Sequence, residues 1–480
     1  MLPSRVVEKA LDGHERDYGQ AIHARLLAGM EVNVQESIWA PKPGPLGRYR
    51  WLTLIPIRER VLLRALVMDL GDDAPIPERS GEAFNAFQAA PLEVPEHQYI
   101  TVSDVASFYF YVDHQLLESR VVEASAKADT AEAIRAVLAS IGNRSYGLPQ
   151  NFAPSDALSE VYISWVERRL ARAGVPTYRH NDDFRLGAPT WGEALRSLER
   201  LGDELSSVGL ELNGEKSWII GREKYEANLG LADEIFQAAI PDDVPAVDPY
   251  TGEPLEPEGG PPSDEEMLAF GQAIFEQAAV DRLSDERMTG FQLRANRELL
   301  NTGLAIFRNA TSDAGLQRGP ALVAVDPAFA QSYSWYLESL ADADEADETS
   351  SRILAVVDRY GGHTPHWVQA WLINPLLAPR AQLNENARAW LQGILNSDAP
   401  SMLRGRAAIA LAAHEQIDVG EVARLFNVFP SATRPDLVAA LGFLQPDETD
   451  APVRAVIGSE HLYRWIFDYA SANSDDRRWA

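Results

Sequence analysis

Thr177-Tyr178-Arg179-His180-Asn181-Asp182-Asp183-Phe184-Arg185-Leu186 decides how this chain is read. Polar Asn181-Asp182-Asp183 lies between Tyr178 on one side and Phe184 and Leu186 on the other, the pattern of two short strands joined by a tight turn. Upstream, residues 99–103 read as a strand that ends at Asp104. If the two strands lie side by side, Asp104, Asp182 and Asp183 converge. Three carboxylates from neighbouring strands suit an in-line displacement at phosphorus, in which two divalent ions roughly 4 Å apart activate the attacking oxygen and stabilise the leaving group. Mg²⁺ prefers oxygen ligands and keeps much of its water, so two or three carboxylates suffice for both ions. Mn²⁺ would serve in its place.

Outward from this hairpin the pattern alternates between strand and helix. Residues 50–57 read as a strand after the turn Pro41-Lys42-Pro43-Gly44-Pro45. Val61, Leu62, Leu63, Leu66 and Met68 mark a helix, and apolar residues at helical spacing fill 115–138. Further helices are expected over 156–172, after Pro154, and over 191–208, followed by a short extended segment at 210–212. Residues 241–266 are rich in Pro, Gly and acid, a composition that buries little apolar surface and reads as a linker. A second acidic run, 341–348, reads as a loop. From Met267 onward the pattern is almost wholly helical. Residues 387–395, 402–413, 420–426 and 434–444 resemble stacked antiparallel helix pairs of the HEAT type. The expected boundaries are therefore an N-terminal segment, 1–100, and a mixed strand–helix segment, 101–230. A linker at 231–266 and an α-helical domain at 267–480 follow. The fold class is α+β.

The chain has 480 residues, no cysteine and a formal charge of −28. Without cysteine there is no disulfide framework and no thiolate metal site. No apolar run is long enough to span a membrane, and the first residues lack the apolar core of a signal peptide, so a cytoplasmic protein is expected. The acid is unevenly spread. Lys+Arg against Asp+Glu is 22 to 27 over residues 1–200, 9 to 30 over 201–350 and 12 to 14 over 351–480. The N-terminal part can thus present a local basic groove, while the total charge argues against tight, unspecific binding to long nucleic acid.

Five stretches, in order, resemble the reverse transcriptase family. Tyr99-Ile-Thr-Val-Ser-Asp104-Val-Ala-Ser-Phe108-Tyr109 is similar to its motif A. Tyr146-Gly147-Leu148-Pro149-Gln150, with Ser155 and Leu158 after it, is similar to motif B. Tyr178 to Phe184 is similar to motif C, and Gly209-Leu-Glu-Leu-Asn213-Gly-Glu-Lys216 to motif D. Pro41-Lys42 and Arg50-Trp51-Leu52, with Ile55-Pro56-Ile57-Arg58-Glu59-Arg60-Val61, resemble the fingers segment. The resemblance covers residues 38–220. It implies a right-hand polymerase core, with 1–100 as N-terminal and fingers segment, 101–230 as palm and fingers residues interleaved at 115–145, in which Asp104 and Asp182 hold metal, with Asp183 assisting. Lys42 and Arg50 would grip the triphosphate, since cations neutralise its developing charge. Tyr109 would screen the sugar and exclude a 2′-hydroxyl. Gln150 would lie near the nascent base pair, and Lys216 would protonate the leaving pyrophosphate. Three positions depart from the family pattern: His180 and Asn181 in motif C, and Asn151 in place of the motif B glycine.

Each of these residues alone has a plainer reading: Asp182-Asp183 as a solvated turn, Asp104 as a helix cap, Lys42, Arg50 and Lys216 as surface cations, Tyr109 as core, Gln150 as loop, His180 as packing. Their order and spacing favour the polymerase. No basic maturase region, Val-Thr-Gly signature or RNase H tetrad is visible. The remaining resemblance is to bacterial abortive-infection and defence-associated reverse transcriptases, which join such a core to a helical C-terminal region. That resemblance implies deoxynucleoside triphosphates as substrates, a DNA product, antiphage defence, a homo-oligomer and no membrane partner. It leaves open a noncoding RNA template or untemplated synthesis, and priming from the protein's own Tyr or Ser. The competing reading is a catalytically silent polymerase fold that serves as a nucleic-acid-binding or assembly module.

Overall fold

The computed structural model describes residues 6–27, 36–42, 49–229, 263–284, 288, 290–342, 348–430 and 433–475. The Pro/Gly-rich acidic segment up to residue 262, the turn residues 43–45 and most of the acidic run 341–348 lie outside the described residues. Along the chain come α1 (Val6–Ala10), α2 (Glu15–Leu27), β1 (Glu36–Pro41), β2 (Tyr49–Leu54), α3 (Ile57–Leu70) and α4 (Gly81–Ala89). Next are β3 (Tyr99–Asp104), α5 (Phe108–Tyr111), α6 (His114–Ser125), α7 (Ala128–Gly142) and α8 (Ala153–Arg172). Then follow β4 (Thr177–His180), β5 (Asp183–Ala188), α9 (Trp191–Ser206), β6 (Trp218–Gly221) and α10 (Arg222–Leu229). From Asp264 the described residues are helical, joined by turns. The chain divides into two compact units, Arg25–Gln35 with Ile55–Leu231, and Met1–Ala24 with Glu36–Leu54 and Ala232–Ala480.

The first unit is built on a four-stranded antiparallel sheet in the order β4-β5-β3-β6. Central β3 is buried along almost its whole length, because both of its faces are covered. On one face Thr101 and Ser103 lie opposite Leu186 and Phe184. Phe184 and Leu186 pack with Tyr162 and Val166 of α8 and with Leu201 and Leu205 of α9, and the Thr101 hydroxyl donates to the Ala194 carbonyl. On the other face Ile100 and Val102 pack with Tyr225 of α10. Gly187 of β5 lies against His97, whose Nδ1 would be 2.2 Å from a Cβ at that position, so no larger residue fits there without moving the imidazole. Helices α3, α6, α7 and α8 share the same apolar core through Leu63, Val67, Leu117, Val121, Ile134, Leu138 and Ile163.

The second unit gathers pieces distant in sequence. The β1–β2 ribbon buries Ile38, Ala40, Leu52 and Leu54 on one face and presents Trp39, 57% exposed, on the other. Trp39 meets Trp51, its cross-strand partner, edge to face at 4.8 Å. The Glu36 carboxylate accepts the backbone N–H of Ser401 at 2.5 Å, tying the ribbon to the C-terminal helices. His14 stacks on Trp465 with ring centroids 4.5 Å apart, and α1 packs on helices Arg434–Phe443 and His461–Ala472. Residues 1–100 contribute to both units, with α1 and the ribbon in the helical unit and residues from Ile55 onward in the sheet unit.

Candidate active site

Two strand ends and one turn bring the carboxylates together. Asp104 closes β3 and lies directly opposite Asp183, the first residue of β5. His180 pairs with Asp183 across the hairpin, so Asn181-Asp182 is a two-residue turn. Asn181 occupies the left-handed region at φ 54°, which Asn tolerates because its short polar side chain bonds locally. The Val105 N–H donates to the Asp182 carbonyl at 3.2 Å, holding the turn against the end of β3. One carboxylate oxygen from each of Asp104, Asp182 and Asp183 lies within 4.8 Å of the other two.

The segment after α9 completes the cluster. Leu212 bridges Val105, and the Asn213 N–H donates to the Asp104 carbonyl at 2.8 Å. The Asn213 side chain donates to Asp104 Oδ2 at 2.9 Å, and Lys216 Nζ lies 2.9 Å from that same oxygen. Arg185, two residues along β5 and therefore on the same sheet face as Asp183, sits 3.8 Å from the Asp183 carboxylate. Its buried guanidinium also lies over the Phe87 ring and donates to Tyr225 Oη at 3.3 Å. Burial, with Asp182 and Asp104 adding to it, raises the Asp183 pKa to about 6 against the opposing pull of Arg185 and Lys216.

That donor set fits divalent magnesium or manganese: hard carboxylate oxygens, close together, with no sulfur or imidazole among them. Asp104, Asp182 and Asp183 would hold the ions. His180 is not part of the set. It packs between Phe84 and Phe87, 5.4 and 5.7 Å from their centroids, and burial lowers its pKa.

The other residues singled out in the sequence lie in different places. Lys216 joins the aspartates. Tyr109 lies in α5, just beyond β3, with its hydroxyl donating to Asp156 Oδ1 at 2.6 Å and lying 3.2 Å from Ser159 Oγ. Arg79 donates to that hydroxyl and pairs with Asp156 at 2.9 Å. Burial, then the bond to Asp156, raises the Tyr109 pKa well above the usual phenol range. Gln150 is half-buried in the loop before α8, next to Asn151 at φ 57°. Both asparagine departures therefore occupy left-handed positions, which favour glycine or asparagine. Lys42 and Arg50 belong to the other unit, Lys42 just after β1 and Arg50 opposite Ala40 on β2. Sequence reasoning missed Arg185, Asn213, Arg79 and Asp156. Period-two spacing from Asp183 pointed to Arg185. Asn213 stood within the motif D stretch without a role. Nothing local marked Arg79 or Asp156.

A sheet with three carboxylates across the ends of its central strands, backed by two helices, has the architecture of a polymerase palm. Residues 40–231 match the family model described as reverse transcriptase (RNA-dependent DNA polymerase). Among solved structures the chain is similar to telomerase from Candida albicans in complex with a fragment of telomeric RNA, at 12% identity and a TM-score of 0.33. The match covers 71% of this chain and 64% of that one. It is also similar to apo telomerase from Candida tropicalis, at 11% identity and a TM-score of 0.30, covering 76% and 71% respectively. The chain thus spans a little under two thirds of the first of these structures. No curated protein matches it. Among the described residues, no helix is long and apolar enough to cross a membrane.

Proposed function

We propose that this chain is a DNA polymerase that adds deoxynucleotides to a hydroxyl group, with two divalent ions held by Asp104, Asp182 and Asp183. The convergence of these three carboxylates within 4.8 Å carries the reading. The ions would supply Lewis-acid activation of the attacking oxygen and charge neutralisation at the leaving pyrophosphate. The protein's own groups do the rest. The Tyr109 ring screens the sugar, and Gln150 lies along the nascent pair. Lys216, its ammonium already at the aspartates, delivers a proton to the departing pyrophosphate. Arg185 keeps the carboxylate face from accumulating uncompensated charge.

The biological reading goes further and rests on the resemblance together with the helical C-terminal region. In it the enzyme serves bacterial antiphage defence, with a HEAT-like C-terminal domain and assembly into a homo-oligomer. It starts from a noncoding RNA or from its own Tyr or Ser. The successive packing of helices Glu385–Asn396, Ser401–Ala413, Arg434–Phe443 and His461–Ala472 supports the repeat assignment. One observation favours a second reading, a silent fold used for binding or assembly: the ammonium of Lys216 already pairs with an Asp104 carboxylate oxygen at 2.9 Å.

The deciding experiment incubates the purified protein with labelled deoxynucleotides and Mg²⁺ or Mn²⁺, with and without template and primer, beside Asp182→Ala/Asp183→Ala. Incorporation is expected from the wild type and a loss of at least about 10³-fold from the double variant, the scale of removing an electrostatic stabiliser. No incorporation by the wild type under any of these conditions would overturn the polymerase and support the silent fold.

A further inference from the structure

We infer that Asp156 and Arg79 lock the Tyr109 ring in place and thereby set how strictly the enzyme rejects ribonucleotides; this rests on the polymerase reading above. A ring screens a 2′-hydroxyl only if it cannot swing aside, since about 1 Å of slack in a site's supporting shell defeats its geometry. Bulk alone does not require a hydroxyl, because phenylalanine has the same ring. In this chain the hydroxyl is the anchored end. It donates to Asp156 Oδ1 at 2.6 Å, meets Ser159 Oγ at 3.2 Å and accepts from Arg79. The Asp156 carboxylate is only 13% exposed and takes its charge partner from Arg79 at 2.9 Å.

The lock joins three parts of the sheet unit: the segment before α4, the turn after β3 and the first turn of α8. The Asp156 and Ser159 ends are well fixed, since the Ser159 hydroxyl also donates to the Asp156 carbonyl at 2.8 Å. A plainer role exists for Asp156, as an acid in the first turn of a helix. That role accounts for its charge. It does not account for the phenol bonded to it or for an arginine reaching it from 77 residues upstream.

The test measures single-nucleotide incorporation of a deoxynucleotide and its ribonucleotide counterpart, giving kcat and KM for each. Wild type is compared with Asp156→Ala, Asp156→Asn, Arg79→Ala, Tyr109→Phe and Tyr109→Ala. Tyr109→Ala should abolish discrimination. Asp156→Ala, Arg79→Ala and Tyr109→Phe should each lower it about tenfold, the scale of one pocket contact. In Asp156→Ala the change should come from faster ribonucleotide use, with deoxynucleotide kcat within about twofold of wild type. Asp156→Asn, which keeps an acceptor for the phenol, should restore most of the discrimination. A merely structural role would lower both nucleotides together and leave their ratio unchanged. That result in both Asp156→Ala and Arg79→Ala overturns the lock, while Tyr109→Ala still tests the screen itself. A wild type that incorporates nothing withdraws the polymerase reading and the lock with it.

Discussion

His114 shows how one buried side chain fixes the loop between α7 and α8. Its Nε2 donates to the Gly147 carbonyl at 2.7 Å, and its Nδ1 is buried without a partner. The bond to a carbonyl keeps the proton on Nε2, so protonating Nδ1 would bury an N–H with no acceptor. Burial accordingly lowers the His114 pKa, and Arg144 and Arg135 contribute in the same direction. When the pH falls through about 6.5, the unfolded chain takes up a proton that the folded chain refuses. Stability is therefore fully present above that value and is lost below it, by up to about 1.4 kcal/mol per pH unit. Urea unfolding between pH 7.5 and 5.5 should show this slope, and His114→Gln should flatten it. At this scale the sequence was most legible where chemistry restricts the choice. Asp104, Asp182 and Asp183 stood out as acids at a strand end and a polar turn, and the fold brings their carboxylates within 4.8 Å of one another. Asn151 and Asn181 stood out as departures, and their left-handed backbone gives the reason for them.

Among the elements, β3 and the β4–β5 hairpin were legible because apolar alternation and a polar turn are local signals. Strand β6, Trp218–Gly221, was not. Four residues without alternation, paired only to β3, leave too little pattern to read. Its position matters, since it follows directly on the segment that places Asn213 and Lys216 at Asp104. The hairpin makes its own prediction. Asn181→Val places a β-branched residue at φ 54° and should cost about 1–2 kcal/mol, whereas Asn181→Gly should be close to neutral. Denaturant midpoints of the two variants, measured side by side, check it. Equal midpoints would mean that the turn relaxes without strain.

For the whole molecule, the sequence showed a sheet-containing part and a helical part, but not which segments belong to each. The ribbon β1–β2 lies in the helical unit because Ile38, Ala40, Leu52 and Leu54 need a covered face, and the Glu36–Ser401 bond spans 365 residues. Contacts over such distances leave no periodicity to detect. The charge distribution was legible, with the excess acid lying largely between residues 201 and 350. The chain up to residue 200, which includes the aspartates, is near balance.

The ammonium of Lys216 on Asp104 gives the site a resident counter-ion of its own. Were Asp104 to take a divalent ion, the loading would be an exchange of cations rather than an addition to a bare anion, and it would free the lysine. On the two-ion reading, the lysine would steady the ion-free site and weaken its capture of an ion. Lys216→Met should reverse that balance: Mn²⁺ binding, followed by electron paramagnetic resonance without any nucleotide, should tighten several-fold, while the ion-free protein should unfold at lower temperature. Unchanged Mn²⁺ affinity would mean that lysine and metal do not compete for the same oxygen.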